Sequence, residues 1–308
     1  MPRFARILVA LADPSRGTSN AVRRAGALAH ATGASIELLN AIASPMSHGP
    51  AHAQAEQFVR YEAEQNRRAL ERIANRLRRE EIIVETTVET GYPAHEAILR
   101  QARLCKADLV VIQAHRHRFL ARLLLTQTDF ELIRHCPVPL LIVKGHAAWR
   151  RPRILAALDP FHANDKPSKL DDVIVDTARA LADLVHGSVH AAHVYPPCVG
   201  EVVVVPAGTA VFAADPAQEK AYSSEIRRSF HEAVGRHGIT RANAHLVCGD
   251  PATEIPAVAR SMRAGLVVMG AVSRRGFKRI FIGNTAEAVL DGLKCDVLIV
   301  KPETALKS

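Results

Sequence analysis

The chain contains one unit twice, and this constrains its fold more than any other feature of the sequence. Arg6-Ile7-Leu8-Val9-Ala10-Leu11-Ala12-Asp13-Pro14 returns as Arg153-Ile154-Leu155-Ala156-Ala157-Leu158-Asp159-Pro160. Gly91-Tyr92-Pro93-Ala94-His95-Glu96 returns as Gly249-Asp250-Pro251-Ala252-Thr253-Glu254. Ala107–Ile112 returns as Ala264–Met269, and Leu141–Lys144 as Leu298–Lys301. The pairs keep their order and spacing, which argues against chance. A chain of 308 residues accommodates two domains of ordinary size. The expected domains are residues 1–146 and 152–308, joined by a polar stretch around Gly145–Pro152 that carries Trp149, Arg150 and Arg151.

Within each unit, short apolar runs alternate with amphipathic segments. In the first, strands are expected at Ile7–Leu11, Ser35–Ala41, Ile82–Val88, Leu109–Ile112 and Leu140–Val143. The intervening helices are Ser19–Ala31, Ala53–Arg79, Ala94–Cys105 and Thr128–Arg134. Ser19 or Asn20 serves as N-cap of the first helix and Gly33 as its stop. The second unit repeats the series from Arg153 to Val300. Continuous Val/Ile/Leu strands between helices indicate parallel sheets covered on both faces. The expected class is α/β, as two tandem doubly wound open parallel-sheet domains of five strands each. Ligands of such sheets sit outside the carboxyl ends of the strands, where Asp159, Val194, Gly249 and Gly270 all fall.

The most informative stretch runs from Leu266 to Lys301. The apolar run Leu266–Met269 leads into Gly270-Ala271-Val272-Ser273, then a basic segment, then Gly283-Asn284-Thr285 at the head of an apolar-periodic helix. Small residues allow close backbone approach, and free amides at a helix N-terminus favour an anion. The stretch reads as a phosphate cradle. It resembles the universal stress protein family, whose nucleotide-binding members carry Gly-x2-Gly-x9-Gly-Ser/Thr at this place. Gly270, Ser273 and Gly283 keep that spacing. Ser273 stands for the second glycine, and Asn284 takes the Ser/Thr position, with Thr285 next. The Gly-Asn-Thr-Ala-Glu run and the doubled unit look most like the tandem E group of the family.

The resemblance implies an adenine nucleotide alpha hydrolase-like fold and a bound ATP or related nucleotide, with Mg accompanying it. It assigns Asp159 to the acidic ligand contact and Val194 to the position whose backbone meets the base. It gives Gly270, Ser273, Gly283, Asn284 and Thr285 to the phosphates. Turn or cap geometry is the plainer reading of Asp159-Pro160, Gly270 and Gly283 taken singly. Arg274, Arg275, Lys278 and Arg279 either screen phosphate charge or form an exposed loop. In the first unit Gln113, Arg116 and Thr126 stand at the motif positions, so that copy is expected to have lost nucleotide binding although Asp13 remains. His115 and His117 on a loop, without a third ligand, do not make a metal site.

Between Tyr195 and the next helix lies an apolar insertion, 196–212. Its prolines and glycines speak against an ordinary core strand, leaving an apolar pocket wall or a packing surface as readings. The five cysteines are scattered without CxxC, which fits neither a disulfide framework nor a zinc site and reads as free buried thiols. Residues 1–150 hold 21 Lys and Arg against 14 Asp and Glu, and residues 151–308 hold 19 against 17. Most of the first excess lies on one long helix and reads as a solvated face. With 5% aromatic residues and no recognisable module, nucleic acid is disfavoured.

Lacking a transmembrane-length run and a signal-peptide pattern, the chain is expected in the cytoplasm without membrane insertion. Candidate partners are a small-molecule ligand, the other unit by intramolecular packing, and a second copy of the chain. No catalytic motif is present. The resemblance allows slow ATP turnover, but no residue is specified as base, and an enzyme is not expected. The leading reading is a stress-response regulatory protein that binds a nucleotide in its second unit. The alternative is a binding protein for an amphipathic or lipid-like anionic ligand.

Overall fold

The computed structural model describes residues 4–43, 50–90, 93–114, 125–145, 147–161, 169–197, 201–204, 210–213, 216–270 and 284–302; for 50–53, 201–204, 210–213 and 284 it describes the backbone alone. The first half consists of β1 (Arg6–Ala10), α1 (Asn20–Thr32), β2 (Ser35–Ile42), α2 (Pro50–Arg78), β3 (Val84–Thr90), α3 (Ala94–Leu104), β4 (Leu109–Gln113), α4 (Gln127–His135) and β5 (Leu140–Val143). The second consists of β6 (Arg153–Ala157), α5 (Leu170–Leu184), β7 (Ser188–Tyr195), β8 (Glu201–Val204), β9 (Ala210–Ala213), α6 (Pro216–Arg236), β10 (Ala244–Cys248), α7 (Pro251–Ser261), β11 (Leu266–Gly270), α8 (Asn284–Gly292) and β12 (Asp296–Val300).

Ten strands form one sheet in the order β10-β7-β6-β11-β12-β5-β4-β1-β2-β3. Each half therefore contributes five strands in the same relative order. The ladders are parallel within each half, as expected. The halves do not form separate sheets: β12 pairs antiparallel with β5, with Leu298 opposite Leu141. Those two leucines are repeat equivalents, so a pseudo-two-fold axis passes between them, the arrangement of an isologous interface. The described part of the insertion adds no strand to the main sheet, in keeping with its prolines and glycines. It contains an antiparallel hairpin, β8 with β9, outside the main sheet.

Alternation along the strands divides the core between two faces. Ile7 and Val9 belong to the layer that holds Leu70, Ile73 and Leu77 of α2 and, in the other half, Phe230 and Val234 of α6. Leu8 and Val110 face the opposite layer, with Ile98, Leu132, Ile255 and Val289 of α3, α4, α7 and α8. Both apolar layers run across the join. Helix ends follow the sequence closely: the Ser19 side chain accepts from Val22 N, and Gly33 closes α1 at φ 74°, a left-handed conformation that glycine adopts without a Cβ penalty.

The join is held by a buried carboxylate. Asp296, fully buried, accepts from Lys144 N (2.9 Å), Gly145 N (2.7 Å), Trp149 Nε1 (2.9 Å) and Arg24 Nε (2.7 Å). Arg24 also donates to Ala147 O and lies 4.8 Å over the Trp149 ring. Two lysines reach across reciprocally. Lys144 Nζ donates to Leu290 O and Leu293 O at the end of α8. Lys301 Nζ donates to Arg134 O (2.8 Å) and Cys136 O (2.7 Å) at the end of α4. Each cation thus caps the negative end of a helix from the other half. Burial pulls both lysines down to about 8.

Candidate functional site

In the second half, β6 lies between β7 and β11. Strand order reverses between β6 and β11, and a doubly wound sheet offers its ligand crevice at such a switch point. Asp159 follows the carboxyl end of β6, and Gly270 ends β11. Asp159 N donates to Asp171 Oδ1 (3.3 Å) in the first turn of α5. Val194 stands on β7 beyond the β6 ladder, whose final bond runs from Leu158 N to Ala192 O. Ala192 O faces β6 and Tyr195 O accepts from Gly249 N on the β10 side. Alternation then turns the N–H and C=O of Val194 toward β6, into the crevice. Three of the expected residues therefore converge on one edge. The fourth element is α8, which begins at Asn284 with Thr285 exposed. Ser273 and Gly283 lie outside the described residues, as do Arg274, Arg275, Lys278 and Arg279.

Gly270 has a second reason to lack a side chain. A Cβ there would meet Leu170 Cδ2 at 2.7 Å, Cγ at 3.1 Å and Cδ1 at 3.2 Å. Leu170 opens α5, which starts 18 residues before β7, whereas α1 starts 15 residues before β2. The longer helix places this leucine over the glycine and narrows the crevice.

Sequence reasoning gave no role to His193. It is buried, its Nδ1 lies 3.1 Å from Leu158 O and 3.9 Å from Asp159 Oδ1, and Phe161 and Phe230 pack near its ring. The corresponding residue of the first half is Asn40, whose Nδ2 donates to Leu11 O (2.8 Å). In both halves a polar residue of the second strand fixes the carbonyl at the end of the first. The repeat alignment, extended from β1 into β2, would have revealed the pair.

The first half closes the same edge with its own side chains. Asp13 accepts from Ser15 N (3.0 Å), Ser15 Oγ and Arg16 Nε (2.9 Å). The Ser15 hydrogen bond is the main influence holding its carboxyl below the usual range. Gln113 Oε1 accepts from Ala21 N (3.1 Å) and its Nε2 donates to Val143 O (2.9 Å), so the amide fills the switch point. Thr126, at the third motif position, accepts from Asp129 N while the Asp129 carboxylate accepts from Thr126 N. This capping box satisfies the α4 terminus and puts a buried carboxylate where an anion would dock. In the aligned repeat, Ala286 replaces Asp129. Arg116, His115 and His117 lie outside the described residues.

Beside the second-half crevice, Tyr195, Tyr222, Arg227 and Cys248 line a hollow of about 340 Å³ at the carboxyl edge of β7 and β10. The thiols depart in part from expectation: Cys105 and Cys136 are buried, but Cys295 is half-buried and Cys248 exposed, while Cys198 lies outside the described residues. Among the described residues, no group of three or more His, Cys, Asp or Glu could hold a metal ion. No helix there is long and apolar enough to cross a membrane.

The model of the universal stress protein family matches residues 3–144 and again 151–301. The chain is 32% identical over 213 residues to universal stress protein E of Escherichia coli K12, covering 68% of this chain and 65% of that protein. A universal stress protein E homolog of Haemophilus influenzae is 28% identical over 246 residues, 78% of this chain and 76% of the other. Among solved structures, a functionally unknown protein from Pseudomonas aeruginosa PAO1 superposes with a TM-score of 0.77 at 24% identity, over 99% of this chain and 95% of that one. A universal stress protein from Archaeoglobus fulgidus gives 0.66 at 18% identity, over 97% and 99%.

Proposed function

This chain belongs to the universal stress protein family, and from that premise we propose that it is a cytoplasmic regulatory binding protein holding ATP or a related nucleotide in its second half. The first half is its structural partner. The observation that carries this reading is the contrast at equivalent positions. The side chains of Gln113 and Asp129, which close one switch point, are replaced by Gly270 and Ala286 at the other. Asp159, the backbone of Val194 and the first turn of α8 then face one crevice with roles that suit a nucleotide. Asp159 would accept from hydroxyls, the Val194 amide and carbonyl would meet the base, and the amides of Asn284 and Thr285 would meet phosphate oxygens. The resemblance would assign Ser273 and Gly283 to the same phosphates, which a Mg ion would accompany. No residue here is assigned to catalysis.

Calorimetric titration with ATP, with and without Mg, tests the reading, and about one site per chain is expected. Ala286→Asp rebuilds the carboxylate of the closed half. It should weaken ATP binding about tenfold or more, since a like charge now stands at the helix terminus. Two equivalent sites, or no effect of Ala286→Asp, would overturn the assignment.

A second reading is favoured by Leu170, which narrows the crevice over Gly270, and by the apolar hairpin that follows β7. Both suit an amphipathic anionic ligand. Val203→Asp should then abolish binding of a phosphorylated acyl chain, each buried methylene being worth about 0.8 kcal/mol. ATP binding should survive that change if the nucleotide reading is right.

A further inference from the structure

On the opposite edge of the second half from the crevice, the join opens into a cavity of about 620 Å³. It lies where the amino ends of β6, β11 and β12 meet the segment that leaves β5. Arg150, Arg151, Arg153, Arg260, Arg263 and Lys294 line it, all of them exposed, and among the described residues no Asp or Glu does. Among the described residues none of the six forms an ion pair. Arg153 donates to the neutral carbonyl of Met262 (2.7 Å), which leaves its charge uncompensated. Arg24, also in the wall, is neutralised by Asp296. Trp149 and Cys295 form part of the lining between these cations.

We propose that this cavity is a second binding site, for a polyanion bearing several phosphoryl groups. Guanidinium groups match phosphate oxygens in planar, bidentate geometry. Several uncompensated ones around a concave, partly apolar floor focus potential far more than the same charges spread on a convex face. The volume suits a ligand the size of a triphosphate chain. The site exists only through the fusion of the halves, because the chain leaving β5 supplies Trp149 and the first arginines while α7 and β12 supply the rest. The pseudo-symmetric position keeps Arg6, Arg103 and Lys106 in the places of Arg153, Arg260 and Arg263, but Arg6 there pairs with Glu85 (3.8 Å). Asp108 stands there in place of Gly265, its carboxylate accepting from Ala5 N (2.6 Å) and Arg6 N (3.2 Å), and Thr177 stands in place of Arg24. The likeness of charge around the repeat is therefore broken on the side that would repel an anion.

Trp149 is the only tryptophan of the chain, so its emission reports on this cavity directly. The test is titration of the full chain at low salt with inorganic tripolyphosphate, and separately with ATP, following Trp149 fluorescence and heat. Saturable binding with a change in emission is expected for tripolyphosphate, which has no base to place in the other crevice. ATP should produce that emission change only as a second, weaker event, after its single tight site in the crevice is full. Arg260→Glu combined with Arg263→Glu should weaken tripolyphosphate by roughly tenfold or more. Arg67→Glu with Arg68→Glu on α2, an equal change of net charge at exposed arginines paired with Glu64, should leave it unchanged. Ala286→Asp should also leave it unchanged, which separates this site from the nucleotide crevice. Absence of saturable binding would overturn the proposal. So would equal losses in the two charge-reversal pairs, or a signal lost in Ala286→Asp and kept in the Arg260/Arg263 variant.

Discussion

The two switch points have equivalent strands in the same order and different side chains around them. At β1 and β4 the chain satisfies its own polar groups: Asp13 closes a turn, Gln113 bridges α1 to β5, and Asp129 caps α4. At β6 and β11, Gly270 and Ala286 withdraw the last two. The difference teaches that an acidic residue at a strand end or a free helix terminus is not itself a site. What decides is whether neighbouring side chains have already taken the hydrogen bonds that a ligand would make. Leu170 adds a warning from the other half, since packing alone already requires Gly270 to lack a side chain.

The largest effect expected from breaking the symmetry lies at the join. Asp296 corresponds to Pro139, and Arg24 to Thr177, so this buried ion pair occurs on one side of the pseudo-axis only. Asp296→Ala leaves the Arg24 guanidinium, Trp149 Nε1 and two amides without their acceptor. Urea denaturation should register a loss of about 3–5 kcal/mol, whereas Thr177→Val should stay within about 1 kcal/mol. A small loss for Asp296→Ala would mean that the join rests on apolar strand packing alone.

Next come the switch points themselves. Gln113→Ala leaves Ala21 N without its acceptor, while Val143 O keeps Ala114 N, and should cost about 1–3 kcal/mol. Gly270→Ala should cost a similar amount for a different reason, overpacking against Leu170. The cause can be isolated, because Leu170→Ala in the same chain removes the clash. A double-mutant cycle should show coupling of about 1 kcal/mol or more. Simple additivity would return Gly270 to a purely ligand-facing role.

The smallest effect is one in which the halves agree. Lys144 and Lys301 are equivalent, and burial lowers both to about 8 in the folded chain. Between pH 8 and the ordinary lysine value the unfolded chain holds more protons than the folded one, so stability rises with pH. Above pH 9 the thiols of Cys105 and Cys295, raised by burial to about 11 and about 12, act in the opposite sense. The urea midpoint should therefore climb from pH 7.5 to 9 and then level. The climb should vanish in a chain carrying Lys144→Met and Lys301→Met. A midpoint that falls through pH 8 would show the charged lysines to be net stabilising at the helix ends.

Much of this architecture is legible in the sequence because buried parallel strands leave continuous apolar runs. Leu140–Val143, Ser188–Tyr195 and Ala244–Cys248 begin and end where their patterns do. The join is not legible, since β5 and β12 are apolar on both faces and such runs carry no mark of partner or direction. Asp296 reads as a polar residue before a strand because its partner Arg24 is 272 positions away. The prolines and glycines of the insertion argued rightly against a core strand, but they did not reveal the hairpin of β8 and β9, because they stand outside the two strands. At the site, the bulk of Gln113 was visible but the bonds of its amide depend on α1 and β5 meeting beside it. Asp129 could have been found: Thr126-x-x-Asp129 is a capping-box pattern, and the aligned repeat sets Ala286 against it.

The antiparallel pairing of β5 with β12 has a consequence for how such a chain can change over time. Alone, either strand would be an open edge, ready to recruit any compatible partner. Two separate copies pairing there would be bound to one another only above some concentration, and every substitution would appear on both sides of the axis at once. Covalent linkage removes both conditions. The pairing persists at any dilution, and a residue on one side can change while its counterpart stays. An arginine can face an aspartate across the axis without a second such pair being imposed, and one copy can specialise as scaffold without closing the other.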